Sequence, residues 1–245
     1  MNSCRRIASS HLIAAILFVL LGGMAGQAQS LSVLPVNVHL GPGEKATSLT
    51  VTNQGTTKTA IQIRPYAWSQ ENGEDKLTTS NDVIASPPIV SIAPGTSQVI
   101  RLVLRQSPQG REATYRILLD QIPPPAEPGV VHVVLRLSIP IFAEPATPAA
   151  PDVQFHLENE AGQVYLVGAN RGLGHEAVRE FDLTTGDGRK LKPASGSSPY
   201  ILAGATRRWT ITAQGPLPTP SDTLQLTGHS DAGAIEEQVR FVSSH

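Results

Sequence analysis

The side chains that could do chemistry are few and scattered. Beyond the first 28 residues, histidines stand at positions 39, 132, 156, 175, 229 and 245. A zinc or copper site needs several such donors at ligand spacing, often with Cys or Met. That spacing is missing, and Cys4, Met1 and Met24 all fall in the first segment. Glu236 and Glu237 are neighbours that point to opposite faces of a strand, so they form no acid–base pair. The chain has no Gly-x-Ser-x-Gly, His-Glu-x-x-His or Gly-x-x-x-x-Gly-Lys motif. The run "GANRGLG" carries Gly168, Gly172 and Gly174, but no helix follows it. Without a helix N-terminus it reads as a loop rather than a phosphate cradle. The expectation is a protein with no catalytic residues, no metal and no cofactor.

Arginines are more informative. Arg101 interrupts "VIRLVL" and Arg116 interrupts "YRILL". An unpaired charge inside an apolar strand is expensive to bury. Strict alternation would turn each arginine to solvent. The sharper reading is a basic anchor in a cleft, ready for a partner's carboxylate.

Both arginines lie on short alternating segments at intervals of roughly 8–12 residues, the rhythm of an all-β sandwich. These are "LSVLPVNVHL" (31–40), "ATSLTVTN" (46–53), "TAIQIRPYAWSQ" (59–70), a short strand in "PPIVSI", a strand at 98–105, and "TYRILLDQIPPP", which is stopped by prolines. Asn72-Gly73 is the strongest turn signal. The seventh strand is "GVVHVVLRLSIP", Gly129 to Pro140, whose odd positions Val131, Val133, Leu135, Leu137 and Ile139 are all apolar. Seven strands suit an immunoglobulin-like sandwich. "AEPATPAAPD", Ala143 to Asp152, reads as a semi-rigid linker. A second, smaller β-sandwich follows, from "VQFHLENE" to "GAIEEQVRFV". The predicted division is residues 1–28, 29–145 and 146–245.

The first 28 residues read as a secretory signal: Arg5 and Arg6, an apolar run from Leu12 to Leu21, and small residues at Gly26 and Ala28. The run is too short for a membrane anchor, so no membrane insertion is expected after its removal. Losing Arg5 and Arg6 takes the basic count from 19 to 17 against 20 acidic residues, a formal charge of −3. That is no signature of nucleic-acid binding. With Cys4 gone there is no disulfide, and core burial alone must stabilise the fold.

Several segments together resemble the periplasmic chaperones of the chaperone–usher pilus pathway. They are "GPGEKATSLTVTN", "ASPPIVSIAPGTSQVIRL", "REATYRILLDQIPPP" and "VVLRLSIPIF", in order and with matching spacing from Leu31 to Pro145. The short loop between Ile122 and Val130 resembles that of the short-loop chaperones, while the "SPPI" block and "LRLSIPIF" look most like the archaic branch, whose clients resemble spore-coat-type pilins.

The resemblance implies two immunoglobulin-like β-sandwich domains in a boomerang arrangement. It implies a periplasmic chaperone that lends its seventh strand to pilin subunits by donor-strand complementation and delivers them to an outer-membrane usher. The donor residues would be Val131, Val133, Leu135 and Leu137. Glu112 matches an acidic residue that helps set the interdomain angle, but its usual arginine partner falls at Glu144. The basic pair that holds the client's terminal carboxylate falls at Asn37 and Pro140, and neither supplies a charge. Arg116 is the first candidate for a relocated anchor and Arg101 the second. The rival reading is a secreted β-sandwich adhesin or carbohydrate-binding module, disfavoured by the presence of only Trp68 and Trp209.

Overall fold

A computed structural model describes residues 31–125, 128–129, 131–194, 198–213 and 215–242. The predicted signal, 1–28, lies outside them. The described residues form strands and turns and no helix.

The first sandwich contains β1 (Leu31–Leu34), β2 (Val38–Leu40), β3 (Ala46–Asn53), β4 (Thr59–Glu71), β5 (Glu74–Thr79), β6 (Val83–Ser86), β7 (Ile89–Ile92), β8 (Ser97–Leu104), β9 (Ala113–Ile122) and β10 (Arg136–Ala143). One sheet runs β1-β3-β8-β6, and the other runs β2-β10-β9-β4-β5 with β7 beside β4. Alternate residues meet between them: Leu49 and Val51, Ile61 and Ile63, Ile100 and Leu102, Ile117 and Leu119, Ile139 and Ile141. Each such side chain contributes about 1.5–3 kcal/mol on leaving water.

Three expectations are corrected here. The predicted strand 31–40 is broken at Pro35, which has no N–H for a ladder. Its first half pairs with β3 in one sheet, and its second half runs parallel to β10 in the other. Two strands, β5 and β6, were not predicted. β5 is exposed along its whole length and so carries no apolar alternation. β6 is only four residues long. The third correction concerns the seventh strand. It begins at Arg136 rather than Gly129. The Asn72-Gly73 turn is as expected: both residues have positive φ, 52° and 82°, in a two-residue hairpin joining β4 to β5.

The second sandwich contains β11 (Val153–Glu160), β12 (Gln163–Asn170), β13 (Glu176–Thr184), β14 (Lys190–Pro193), β15 (Tyr200–Ile201), β16 (Thr206–Thr212), β17 (Thr223–Ser230) and β18 (Gly233–Arg240). The strands run in the order β11-β12-β16-β14-β13-β17-β18, with β15 on β13. Leu157, Leu166, Leu183, Trp209, Leu224 and Leu226 fill the interior.

The "GANRGLG" loop packs onto the connecting segment. Arg171 N donates to Asp152 O at 2.8 Å, and Leu173 N donates to Ala150 O at 2.9 Å. A Cβ on Gly174 would stand 2.1 Å from Ala149 O, and one on Gly172 would stand 2.4 Å from Ala150 O. These glycines therefore serve a close backbone approach. Gly174→Ala is expected to cost about 1–3 kcal/mol through overpacking against backbone. Thermal unfolding checks this: a melting temperature several degrees below wild type is expected, and an unchanged one contradicts the packing account.

Candidate functional site

β10 pairs with β9 from Arg136↔Asp120 to Ala143↔Ala113. Its odd side chains Leu137, Ile139 and Ile141 pack into or against the first core. The ladder ends because β9 ends: Ile122 is followed by Pro123, Pro124 and Pro125, which have no N–H to donate. Gln121 N still donates to Leu135 O at 2.9 Å. Residues 131–134 have no strand partner among the described residues. The odd row continues through them, so apolar side chains emerge from the core into water. Val131 is 89 % exposed, Val133 88 % and Leu135 39 %.

The even side chains of this sheet form its outer face. Paired residues of antiparallel strands share a face, so Pro140, Arg116 and Tyr66 form one row across β10, β9 and β4. Val38 pairs with Ile141 in parallel, which brings Asn37 to the near end of the same row. Arg116 thus stands one strand over from Pro140 and two from Asn37, the positions where the family resemblance calls for basic residues.

The second sandwich covers this arginine. The Arg116 guanidinium lies 3.7 Å from the Trp68 ring centre, 3.8 Å from Asp75 Oδ2 and 3.4 Å from Ser198 Oγ. Its side chain is 12 % exposed. Burial lowers its pKa; Asp75 and Tyr200 oppose that effect and Arg207 adds to it. Arg101 is elsewhere. It sits exposed on β8, in the sheet that carries neither β9 nor β10. It obeys the alternation that turns charge to solvent, so it is not a residue of this cleft.

Glu112 does contact the second sandwich. His175 Nδ1 lies 2.9 and 2.8 Å from the two Glu112 carboxylate oxygens, with both side chains nearly buried. Glu112 N donates to Leu173 O at 2.9 Å. The His175 ring stacks on Phe142 at 3.5 Å and 8°. Phe142, Trp68 and Leu202 form a small apolar cluster where the two sandwiches meet. Gln70 bonds Tyr200 O at 2.8 Å and Leu202 N at 3.0 Å. Asp75 accepts from Arg207 Nη1 at 2.8 Å. His175, Asp75 and Arg207 were not singled out from the sequence. Each pairs across more than fifty residues of chain, and no local pattern marks such a partner.

Residues 30–149 match the model of a family described as pili and flagellar-assembly chaperones, PapD N-terminal domain. The first domain is thus similar to the N-terminal domain of these chaperones. The Escherichia coli chaperone protein PapD is 30 % identical over 141 residues, covering 55 % of this chain and 56 % of that protein. The Salmonella typhimurium chaperone protein LpfB is 27 % identical over 152 residues, covering 60 % and 61 %. The aligned stretch thus spans a little over half the length of these relatives. A chaperone–tip adhesion subunit complex from archaic Csu pili of Acinetobacter baumannii has a similar fold, with a TM-score of 0.67 at 23 % identity over 87 % of this chain and 100 % of that one. The YadV chaperone gives 0.61 at 16 % identity over 86 % and 98 %. The fold is that of the PapD-like chaperones, with two immunoglobulin-like domains. Trp68 and Trp209 are each 3 % exposed, so neither offers the flat aromatic platform a sugar-binding module would use.

The base of the exposed row is tied down by charge. Asp120 accepts from Arg64 Nε at 3.0 Å and also bonds Arg136, the first residue of β10. Burial alone would raise the Asp120 carboxyl. The hydrogen bonds from Arg136 and Arg64 outweigh it and hold the group below the usual carboxylate range. Such a group contributes stability above its unfolded pKa and loses it as pH falls through its folded value. Asp120→Asn is expected to cost about 1 kcal/mol at neutral pH, a figure discounted because both arginines are partly exposed. The difference from wild type should be smaller at about pH 2 than at neutral pH, because the carboxylate charge is lost as pH falls. Melting curves at the two pH values check this, and an equal penalty at both contradicts it.

Proposed function

We propose that this chain is a periplasmic chaperone of the chaperone–usher pathway that completes pilin subunits by donor-strand complementation. The observation that carries the reading is the exposed apolar row Val131, Val133 and Leu135, continuous with Leu137, which packs against the core, and with core residues Ile139 and Ile141. A subunit that lacks its last strand exposes an apolar groove, and this segment has the alternation to fill it. Backbone bonds then supply affinity and alternate side chains supply fit; chaperone–pilin pairing is a known instance of this mode. The neighbouring structure that pairs a chaperone with a tip adhesion subunit supports the same reading. Spore-coat-like pilins are the clients and an outer-membrane usher the acceptor. The signal read at residues 1–28 supports the periplasm. Among the described residues, no helix is long and apolar enough to cross a membrane.

Burying Val131, Val133 and Leu135 is worth at most roughly 5–9 kcal/mol in gross terms. Association takes back a large share. A charge-assisted contact from Arg116 to the client's carboxylate adds about 1.5–3 kcal/mol. The apolar row therefore dominates affinity, and Arg116 fixes register, which a one-residue slip would invert.

Leu135→Asp should reduce client recovery with the chaperone from periplasmic extracts by at least about tenfold, because a charge would enter an apolar groove. The variant itself should fold, since Leu135 is partly exposed. Undiminished recovery contradicts the proposal. Arg116→Ala should weaken client binding by roughly tenfold or more, and unchanged affinity removes the arginine from the site.

A further inference from the structure

Arg116 shares its only described carboxylate with a second arginine. Asp75 Oδ1 is held by Arg207 Nη1 at 2.8 Å and Gln70 Nε2 at 3.0 Å. Its Oδ2 is 3.8 Å from Arg116 Nη2, beyond hydrogen-bond range. The Arg207 side chain is 5 % exposed and its Nε has no partner among the described residues. Two buried guanidiniums thus face one carboxylate that is 31 % exposed. Two further acids are buried among the described residues: Glu112 is taken by His175, and Glu176 accepts from Asp231 N. A guanidinium carries five N–H donors in a planar fork suited to both oxygens of a carboxylate. Beyond the long Asp75 contact, the partner described for the Arg116 donors is Ser198 Oγ, at 3.4 Å. Arg116, Arg207 and Asp75 together carry one more positive than negative charge.

Asp75 comes from the β4–β5 hairpin, whose tip leans on the second sandwich: Gly73 bridges to Arg207, and its Cα side abuts Arg208. The hairpin therefore delivers a carboxylate from one domain into a pair of arginines drawn from both.

We propose that Asp75 acts as an internal competitor: it half-occupies Arg116 in the free protein and sets how tightly that arginine takes an incoming carboxylate. This rests on the reading of Arg116 as the anchor. The incoming group is a monoanionic carboxylate, since one such charge balances the two arginines and Asp75. Removing the Asp75 charge should tighten binding of that group. Keeping the charge but lengthening its arm should loosen it.

The test uses the full mature chain and sodium acetate as the probe, titrated against sodium chloride of equal ionic strength. The readout is the Arg116 Nε–H signal in a nitrogen–proton NMR spectrum, identified by its loss in Arg116→Ala. Asp75→Asn should bind acetate about threefold more tightly than wild type, the scale of a partly exposed ion pair. Acetamide, which is neutral and of the same shape, should move the signal in neither protein. If both proteins bind acetate equally, Asp75 is no competitor and the anchor stands. If the signal ignores acetate in both, the anchor itself is overturned. Should Asp75→Asn fail to fold, Asp75→Glu gives the reverse readout: weaker acetate binding is expected, and binding as tight as wild type overturns the proposal.

Discussion

β9 runs out of hydrogen-bond donors before β10 runs out of apolar side chains. Pro123 to Pro125 end the ladder near Gln121, while the odd row of the opposing strand goes on to Val131. That mismatch governs the rest. Ile139 and Ile141 are locked in the first core, so the parity of the whole segment is set from within. A slip of one residue would carry Ile139 and Ile141 out of that core, and the core forbids it. The exposed residues therefore continue from a strand of fixed parity, with no strand partner for 131–134 among the described residues. Asp120 secures the point of emergence by binding Arg136 on the departing strand and Arg64 on β4.

The second constraint is the cover that the second sandwich lays over the outer face of the same sheet. Alternation alone would leave Arg116 in water. Trp68, Tyr200 and the β4–β5 hairpin enclose it instead, and the covered face is held by Glu112–His175 and by the Phe142 stack. The two positions where the resemblance calls for basic residues hold Asn37 and Pro140. In the proposed reading Arg116, one strand from Pro140 in the same row, takes over their charge. A neighbouring strand can do this because paired residues share a face, whatever their distance in sequence.

What was legible in the sequence followed periodicity. The strands around Leu49, Ile61, Ile100 and Ile117 alternate strictly, and Asn72-Gly73 marks its hairpin. Two features escaped. β5 is exposed on both faces, so it has no pattern to read. The true start of β10 depends on where its partner stops, and a single segment does not carry that information. Of the site, the apolar row and Arg116 could be picked out because each breaks or repeats a local pattern. Arg101 interrupts an apolar run in the same way, yet it follows the alternation to solvent and stands on the other sheet. Glu112 was singled out by resemblance, but its partner His175 was not. Asp75 and Arg207, 132 residues apart, meet only through the packing of two domains.

Amide hydrogen exchange at residues 131–134 tests the central claim most directly, compared between the isolated chain and the chain mixed with a pilin subunit, the proposed client. The account expects fast exchange at these amides in the isolated chain and strong protection in the complex. The amides of Leu137 to Ile141, already paired with β9, should change little. Protection of 131–134 in the isolated chain, or its absence in the complex, would contradict the account.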